Sequence, residues 1–398
     1  MSEQVGFGID HLPYGVVRPR GDGEARCVAR LGNEAIDLGA LDLSVDPATF
    51  GGGTLNRFCA AGPDAWESVR EELQRRIEDD EELPKLSLGD VDLVLPVAVG
   101  DYVDFYSSIH HATNLGRLFR PDAEPLLPNW RHLPIGYHGR SGTVAVSGTP
   151  VRRPSGLVKD GESVVHRPSA TLDIELEVGF VVGHEIPLGA CPRPDDAARH
   201  VFGVALVNDW SARDIQAFEY QPLGPFLGKS FLTTMSGWIT PMAALEPFLI
   251  GAPPQEPEPA EHLRASQPWG LDLDLSVELN GTTVSRTNFA DLYWTFAQQL
   301  SHMTSNGASA RPGDLYASGT VSGDQPGTYG SFIELSWRGR DPIELDDGSK
   351  RTFLEDGDTV VLRGSAGLPA TFAAGDRSPS PSRPALELGT AEGTIHPA

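Results

Sequence analysis

Positive charge is scarce in this chain. Against 55 Asp and Glu, its 398 residues hold 31 Lys and Arg, for a formal net charge of −24. Little basic surface is left to neutralise phosphates, which argues against a nucleic-acid or anionic-membrane partner. Cysteine is scarcer still. Cys27, Cys59 and Cys191 are widely spaced, odd in number and never arranged as C-x-x-C. That usage fits a reducing cytosol, and neither a zinc site nor a disulfide scaffold. No apolar run approaches the ~20 residues of a membrane span. The N-terminus has no basic segment followed by an apolar one, so no signal peptide is expected. An internal repeat, a G-x-S-x-G nucleophile elbow and an H-E-x-x-H zinc motif are also missing. The stretch Pro222–Ser230 ends like a phosphate loop, but Gly224 and Gly228 are one residue too close for G-x-x-x-x-G-K-S. Proline also removes an N–H that such a cradle needs, so nucleotide binding is excluded.

What the chain does have is 44 glycines and 33 prolines interleaved with short alternating runs, the pattern of a β-rich protein with many turns. The runs Gly15-Val16-Val17 and Arg26–Leu31 suggest a small N-terminal barrel. Trp66, Val69, Leu73 and Ile77 recur at helical spacing and predict an amphipathic helix from Pro63-Asp64. The acidic run Glu78–Glu82 reads as a solvated helix end or linker, and the composition shift after it divides the chain into domains 1–97 and 98–398. In the second half Asp104 is expected to cap a short helix carrying His111 on its second turn. Leu127–Arg140 reads as an ordered surface loop and 251–268 as an exposed one. Leu292–Leu300 is expected to be helical, Arg311–Asp314 to turn into a strand, and Ser318–Gly323 with Ser331–Trp337 to form a long hairpin. The Ser/Pro-rich tail at Ser378–Ser382 is expected to be mobile.

Chemistry concentrates between Thr171 and Tyr220. In Thr171–Val178 apolar and acidic residues alternate, so Asp173, Glu175 and Glu177 share one face of a strand. Two readings stand. One is an ordinary solvated strand face, of which Leu271–Ser276 is a second example in the same chain. The other is a site for a hard cation, since Ca²⁺, Mg²⁺ and Mn²⁺ take carboxylate oxygens. The pattern alone does not choose. Farther on, the apolar run Val201–Val207 delivers Asp209 at a strand end, and Ser211 with Asp214 reads as a capping box. In the helix that follows, Arg213, Gln216 and Tyr220 fall on one face, with Ile215 and Phe218 on a packing face. An ordinary amphipathic helix would show the same spacing.

Taken together, Asp101–Asn114, Leu127–Arg140, Thr171–Glu177, Asn208–Gln216, Pro222–Ser230, Arg311–Gly323 and Gly330–Trp337 resemble the fumarylacetoacetase family, hydrolases that end tyrosine catabolism. Leu12–Val16 extends the resemblance into the N-terminal domain, and it fades after Gly364. It implies a mainly β, α+β protein: a small SH3-like barrel followed by a larger β-rich catalytic domain, working as a cytoplasmic homodimer. It implies a divalent cation (Ca²⁺ or Mg²⁺, with Mn²⁺ open) held by Asp104, Glu175, Glu177 and Asp209. Asp173 matches no family ligand. Catalytic roles fall on His111 as base, Glu334 as its orienting carboxylate, and Arg213, Gln216 and Lys229 at the developing charge. Substrate contacts fall on Tyr106, Arg120, Tyr137, Gln216, Tyr220 and Thr320, and Lys229 and Thr233 lie near a second cation. Tyr106 and Tyr137 as core aromatics, and Arg120 as a surface ion pair, are the plain alternatives. The implied reaction is hydrolytic C–C cleavage of a β-diketo acid, fumarylacetoacetate, to fumarate and acetoacetate. Related acylpyruvate hydrolases, decarboxylases or hydratases are the alternative activities, and a non-catalytic metal-binding protein is the alternative of another class.

Overall fold

The computed structural model describes residues 6–21, 23–367 and 385–398; the Ser378–Ser382 stretch lies outside them. A thirteen-stranded sheet forms the spine. Its order runs from Lys85–Ser87 through Glu34–Asp37, Arg26–Leu31, Tyr14–Pro19, Trp238–Pro241, Val201–Asp209, Leu176–Val182, Leu315–Ala317 and Tyr102–Phe105 to Gly136–His138. The N-terminal strands therefore continue into the strands of the C-terminal half, joined where Tyr14 and Gly15 pair with Ile239 and Trp238. A five-stranded sheet, ordered Thr282–Asn288, Asp274–Leu279, Thr359–Ala366, Leu386–His396 and Val151–Arg152, covers one face.

The central strands read as unbroken apolar runs because both faces are covered. On Val201–Asp209, Val204 and Leu206 enter one core with Leu275, Leu362 and Leu388. Ala205 and Val207 enter the other with Tyr14, Phe58 and Leu315. The predicted N-terminal helix spans Pro63–Glu78 and buries Val69 and Leu73 as its period requires. Among the described residues, no helix is long and apolar enough to cross a membrane.

Four local expectations change. Asp104 is not a helix cap; it lies within the buried strand Tyr102–Phe105, pairing with Ala317. Ser108 caps the following helix, Ile109–Phe119, and its Oγ accepts from the His111 amide, so His111 sits on the first turn. Ser211 does not cap the helix Arg213–Glu219 either. It pairs with Asp173 in a two-residue strand, and the Asp214 amide donates instead to Thr171 Oγ1. The apolar segment after Leu292 becomes helical only at Phe296, where Thr295 and Gln298 close a capping box. Finally, Ser331–Trp337 is no hairpin strand: Phe332–Leu335 is a single helical turn. Its leading amides are taken by a distant carboxylate, Asp173, which no local pattern announces.

Candidate active site

Three strands bring their acidic residues to one end of the large sheet. Asp209 closes Val201–Asp209, Glu177 is the second residue of Leu176–Val182, and Asp104 lies on Tyr102–Phe105, one strand beyond Leu315–Ala317. The acidic strand predicted over Thr171–Val178 is interrupted between Asp173 and Leu176. Glu175 sits in that break, where its amide donates to Asn208 Oδ1 and its carbonyl accepts from the Asp209 amide. One oxygen each from Asp104, Glu175, Glu177 and Asp209 lies within 4.8 Å of the others.

This is no solvated strand face. All four residues are buried, Glu177 completely, whereas Asp272 and Asp274 of the comparison run are part-exposed and bonded to Asn288. Both Glu177 oxygens, Asp104 Oδ1 and Asp209 Oδ1 have no hydrogen-bond partner among the described residues. Unpartnered buried carboxylate oxygens are costly, and an all-oxygen donor set suits a hard divalent cation. The charges agree. Asp104, Asp173, Glu175, Glu177 and Asp209 are opposed by two fixed cations. Arg213 donates to Asp173 (2.7 Å) and Glu175 (2.8 Å), and Lys229 to Glu175 (2.6 Å) and Asp209 (2.7 Å). The donor set fits the cation.

The electrostatics split the acids. Burial, reinforced by the neighbouring carboxylates, pushes Asp104 and Glu177 well above the usual carboxylate range. Burial acts the same way on Glu175, but the charges of Lys229 and Arg213 outweigh it and hold that carboxyl low. Burial opposes the charge of Lys229 and Arg213, but Asp209 and Glu175 outweigh it at the lysine, and Asp173 and Glu175 at the arginine, and keep both charged. A pH effect on stability follows. Asp104 and Glu177 bind their protons more tightly folded than unfolded, so cation-free stability falls as pH rises above the unfolded carboxylate pKa of ~4 toward their raised values. Melting curves across that window should show the fall, and a saturating divalent cation should remove it. Glu177→Gln should raise the cation-free Tm at neutral pH and abolish most of the cation-induced shift. A cation-induced shift that survives intact in Glu177→Gln would remove Glu177 from the ligand set.

Beside the acids stands a second unit. His111, 1% exposed, places Nδ1 2.6 Å from Glu334 Oε2 and Nε2 3.7 Å from Glu175 Oε1. Glu334 Oε2 also accepts from Ser322 (2.9 Å) and Ser331 (2.7 Å), and Oε1 accepts from Asn114 (3.0 Å). Burial opposes ionisation of Glu334, but His111 and these donors prevail and hold it below the usual range. An ionised Glu334 requires N–H on Nδ1, so in the neutral ring Nε2 is the nitrogen with the lone pair.

The remaining predicted residues divide. Gln216 Oε1 accepts from Arg213 (3.1 Å), and the Tyr137 hydroxyl donates to Asp209 (2.9 Å). Tyr106 meets the His111 ring edge-on, with centroids 5.4 Å apart. Thr320 is buried with an unpartnered hydroxyl, held by Gly319 at φ 76°, where a Cβ would lie 2.2 Å from the Phe105 carbonyl. Arg120 is not a surface ion pair: it donates to the Pro125 carbonyl, and its buried Nε is unpartnered. Thr233 is buried opposite Asp209 on the adjoining strand. The Lys229 ammonium has no lone pair for a cation, so only its main-chain oxygen could serve as a ligand. Tyr220 and Phe218 are about 40% exposed; the Tyr220 hydroxyl accepts from Gln221 Nε2, and Phe218 is not buried as a packing residue should be. Asn114, Ser322 and Ser331 escaped the sequence reading. Asn114 lies three residues from His111 on the same helix face, a signal that was there to use; the two serines come from loops with none. A cleft of ≈ 350 Å³ is lined by Tyr137, Arg140, Phe226, Lys229 and Ser230, of which Tyr137 and Lys229 bond Asp209.

Two family models match the chain: "Fumarylacetoacetase N-terminal" over residues 10–105 and "Fumarylacetoacetate (FAA) hydrolase C-terminal" over residues 102–374. The chain is 46% identical to the fumarylacetoacetase of Homo sapiens over 389 residues, covering 92% of this chain and 93% of the relative. It is 41% identical to that of Arabidopsis thaliana over 384 residues, covering 90% and 91%. Among solved structures, maleylpyruvate hydrolase from Sphingobium sp. SYK-6, in complex with manganese(II) and pyruvate, shares the fold at a TM-score of 0.54 and 14% identity. That match covers 97% of this chain and all of that one.

Proposed function

Since the chain belongs to the fumarylacetoacetase family, it is a hydrolase of fumarylacetoacetate, and we propose how its residues cleave that C–C bond. Water adds to a substrate carbonyl, the adduct splits into fumarate and the enolate of acetoacetate, and the enolate regains the proton removed from water to give acetoacetate. Neutral His111 takes the water proton on Nε2. Glu334, ionised and saturated with donors, holds the Nδ1–H tautomer and stabilises the imidazolium, as a carboxylate does in hydrolytic triads. Asp104, Glu175, Glu177 and Asp209 would hold the divalent cation. When bound, it supplies Lewis acidity toward the substrate oxygens and spreads the charge of the leaving enolate. Lys229 keeps one ammonium proton beyond the two given to Glu175 and Asp209, and with Arg213 and Gln216 it offers positive charge where the oxyanion develops. Arg120, with its unpartnered Nε, and Tyr106 receive a substrate carboxylate, with Tyr137, Tyr220 and Thr320 completing the pocket.

One observation carries this reading: a carboxylate-oriented imidazole faces the carboxylate cluster, with His111 Nε2 3.7 Å from Glu175 Oε1. Acylpyruvate hydrolysis, decarboxylation and hydration remain the competing activities. Incubating the protein with fumarylacetoacetate, acylpyruvates and oxaloacetate, before and after chelation, separates them. Fumarate and acetoacetate should form only in the first case, stop on chelation and resume with Mg²⁺, Ca²⁺ or Mn²⁺. Preference for another diketo acid would overturn the substrate assignment.

The same proposal takes the chain as domains 1–97 and 98–398 and as a cytoplasmic homodimer at the end of tyrosine and phenylalanine breakdown. Exposed Leu223, Phe226 and Leu227 offer apolar surface for a second copy. Light scattering should return twice the 42.7 kDa chain mass.

A further inference from the structure

We propose that Asp173 is a positioning residue that sets two halves of the active site against each other: the Arg213 guanidinium and the helical turn bearing Glu334. Its carboxylate is fully buried and accepts four hydrogen bonds. Oδ1 accepts from the amides of Ile174 (2.8 Å) and Phe332 (2.6 Å). Oδ2 accepts from Arg213 Nε (2.7 Å) and the Ile333 amide (3.1 Å).

Those donors come from three separate parts of the chain. Ile174 leads directly into Glu175. Arg213 opens the helix that carries Gln216. Phe332 and Ile333 are the first residues of the turn whose third residue is Glu334. With Nε held by Asp173, the guanidinium plane directs its other nitrogens to Glu175 (2.8 Å) and Gln216 (3.1 Å). A guanidinium bound through one edge has its plane fixed, so its free N–H vectors are fixed as well. Burial excludes water as a substitute acceptor, and a four-residue turn lacks enough internal hydrogen bonds to hold itself. One carboxylate thus determines both where positive charge is offered and where the His111 partner stands. It shares the acidic alternation of Glu175 and Glu177, yet its lone pairs are used by the protein and not aimed at the cation cluster.

Asparagine is the discriminating substitution. Four donors converge on the carboxylate, so either orientation of an amide sets its NH₂ against at least one N–H. In Asp173→Asn, kcat should fall at least 30-fold with KM changed less than threefold, in cation-saturated protein of unaltered far-ultraviolet dichroism. Double-mutant cycles with Arg213→Gln and with Glu334→Gln identify the two routes: in each background Asp173→Asn should cost less than it does in the wild-type protein, because one of its two arms is already lost. Losses that multiply fully in both cycles, or wild-type kcat in Asp173→Asn, would overturn the inference. Should Asp173→Asn fail to fold, Arg213→Gln tests the strut from its other end. Amide exchange at Phe332 and Ile333 should speed at least tenfold there, because the carboxylate has lost its charged anchor. Unchanged protection would refute it. The kinetic arm rests on the diketo-acid hydrolase reading; the exchange arm needs no substrate, so failure of one is distinguishable from failure of the other.

Discussion

His111→Ala should lower kcat by at least ~10²-fold, the lower end for loss of a general base, while the neighbouring His110→Gln should change it less than about twofold. The two side chains leave their helix roughly 100° apart, so they cannot serve one site together. His111 is buried against Glu334 and Tyr106; His110 is part-exposed and takes no part in the site's hydrogen bonds. Single-turnover rates for both variants, with the cation saturating, provide the measurement. A dead His110 variant beside an active His111 variant would place the helix in the wrong register and end the water-activation assignment.

Lys229→Met should have an effect of the same size on the opposite side of the reaction. Its ammonium is held between Glu175 and Asp209 and is fully charged. Losing one group that stabilises developing charge costs about 10²–10³ in kcat, and KM should move far less, because the charge appears only during reaction. Removing the ammonium also relieves repulsion of a cation bound to the same carboxylates. Two unit charges 4 Å apart exchange ~4 kcal/mol at an effective dielectric of 20, and a third of that is about tenfold in affinity. Calorimetry should therefore find tighter cation binding in a slower enzyme. Weaker cation binding in Lys229→Met would show instead that the lysine organises the carboxylates for the ion.

The competing readings of the acidic alternation could be separated only in three dimensions. Leu271–Ser276 and Thr171–Val178 carry the same pattern, yet only the second is covered on both faces and meets acids from two other strands. Burial is a property of what packs against a strand, and a two-residue period does not encode it.

Read by itself, the chain determined its β-rich class, the helix at Pro63–Glu78 and the buried strand ending in Asp209. These are local matters, settled by periodicity, spacing and charge. Its motifs, by resemblance, also supplied the acid, base and cationic residues. Tertiary structure decided the rest. It moved Asp104 from a cap into a strand, broke the acidic strand so that Glu175 turns toward Lys229 and Arg213, and made a helical turn of Phe332–Leu335 through a carboxylate about 160 residues away. It also surrounded Glu334 with Asn114, Ser322 and Ser331. Hydrogen bonds between residues so far apart are fixed by how the strands assemble, and a burial cost or a shifted carboxyl exists only once that assembly has removed the water.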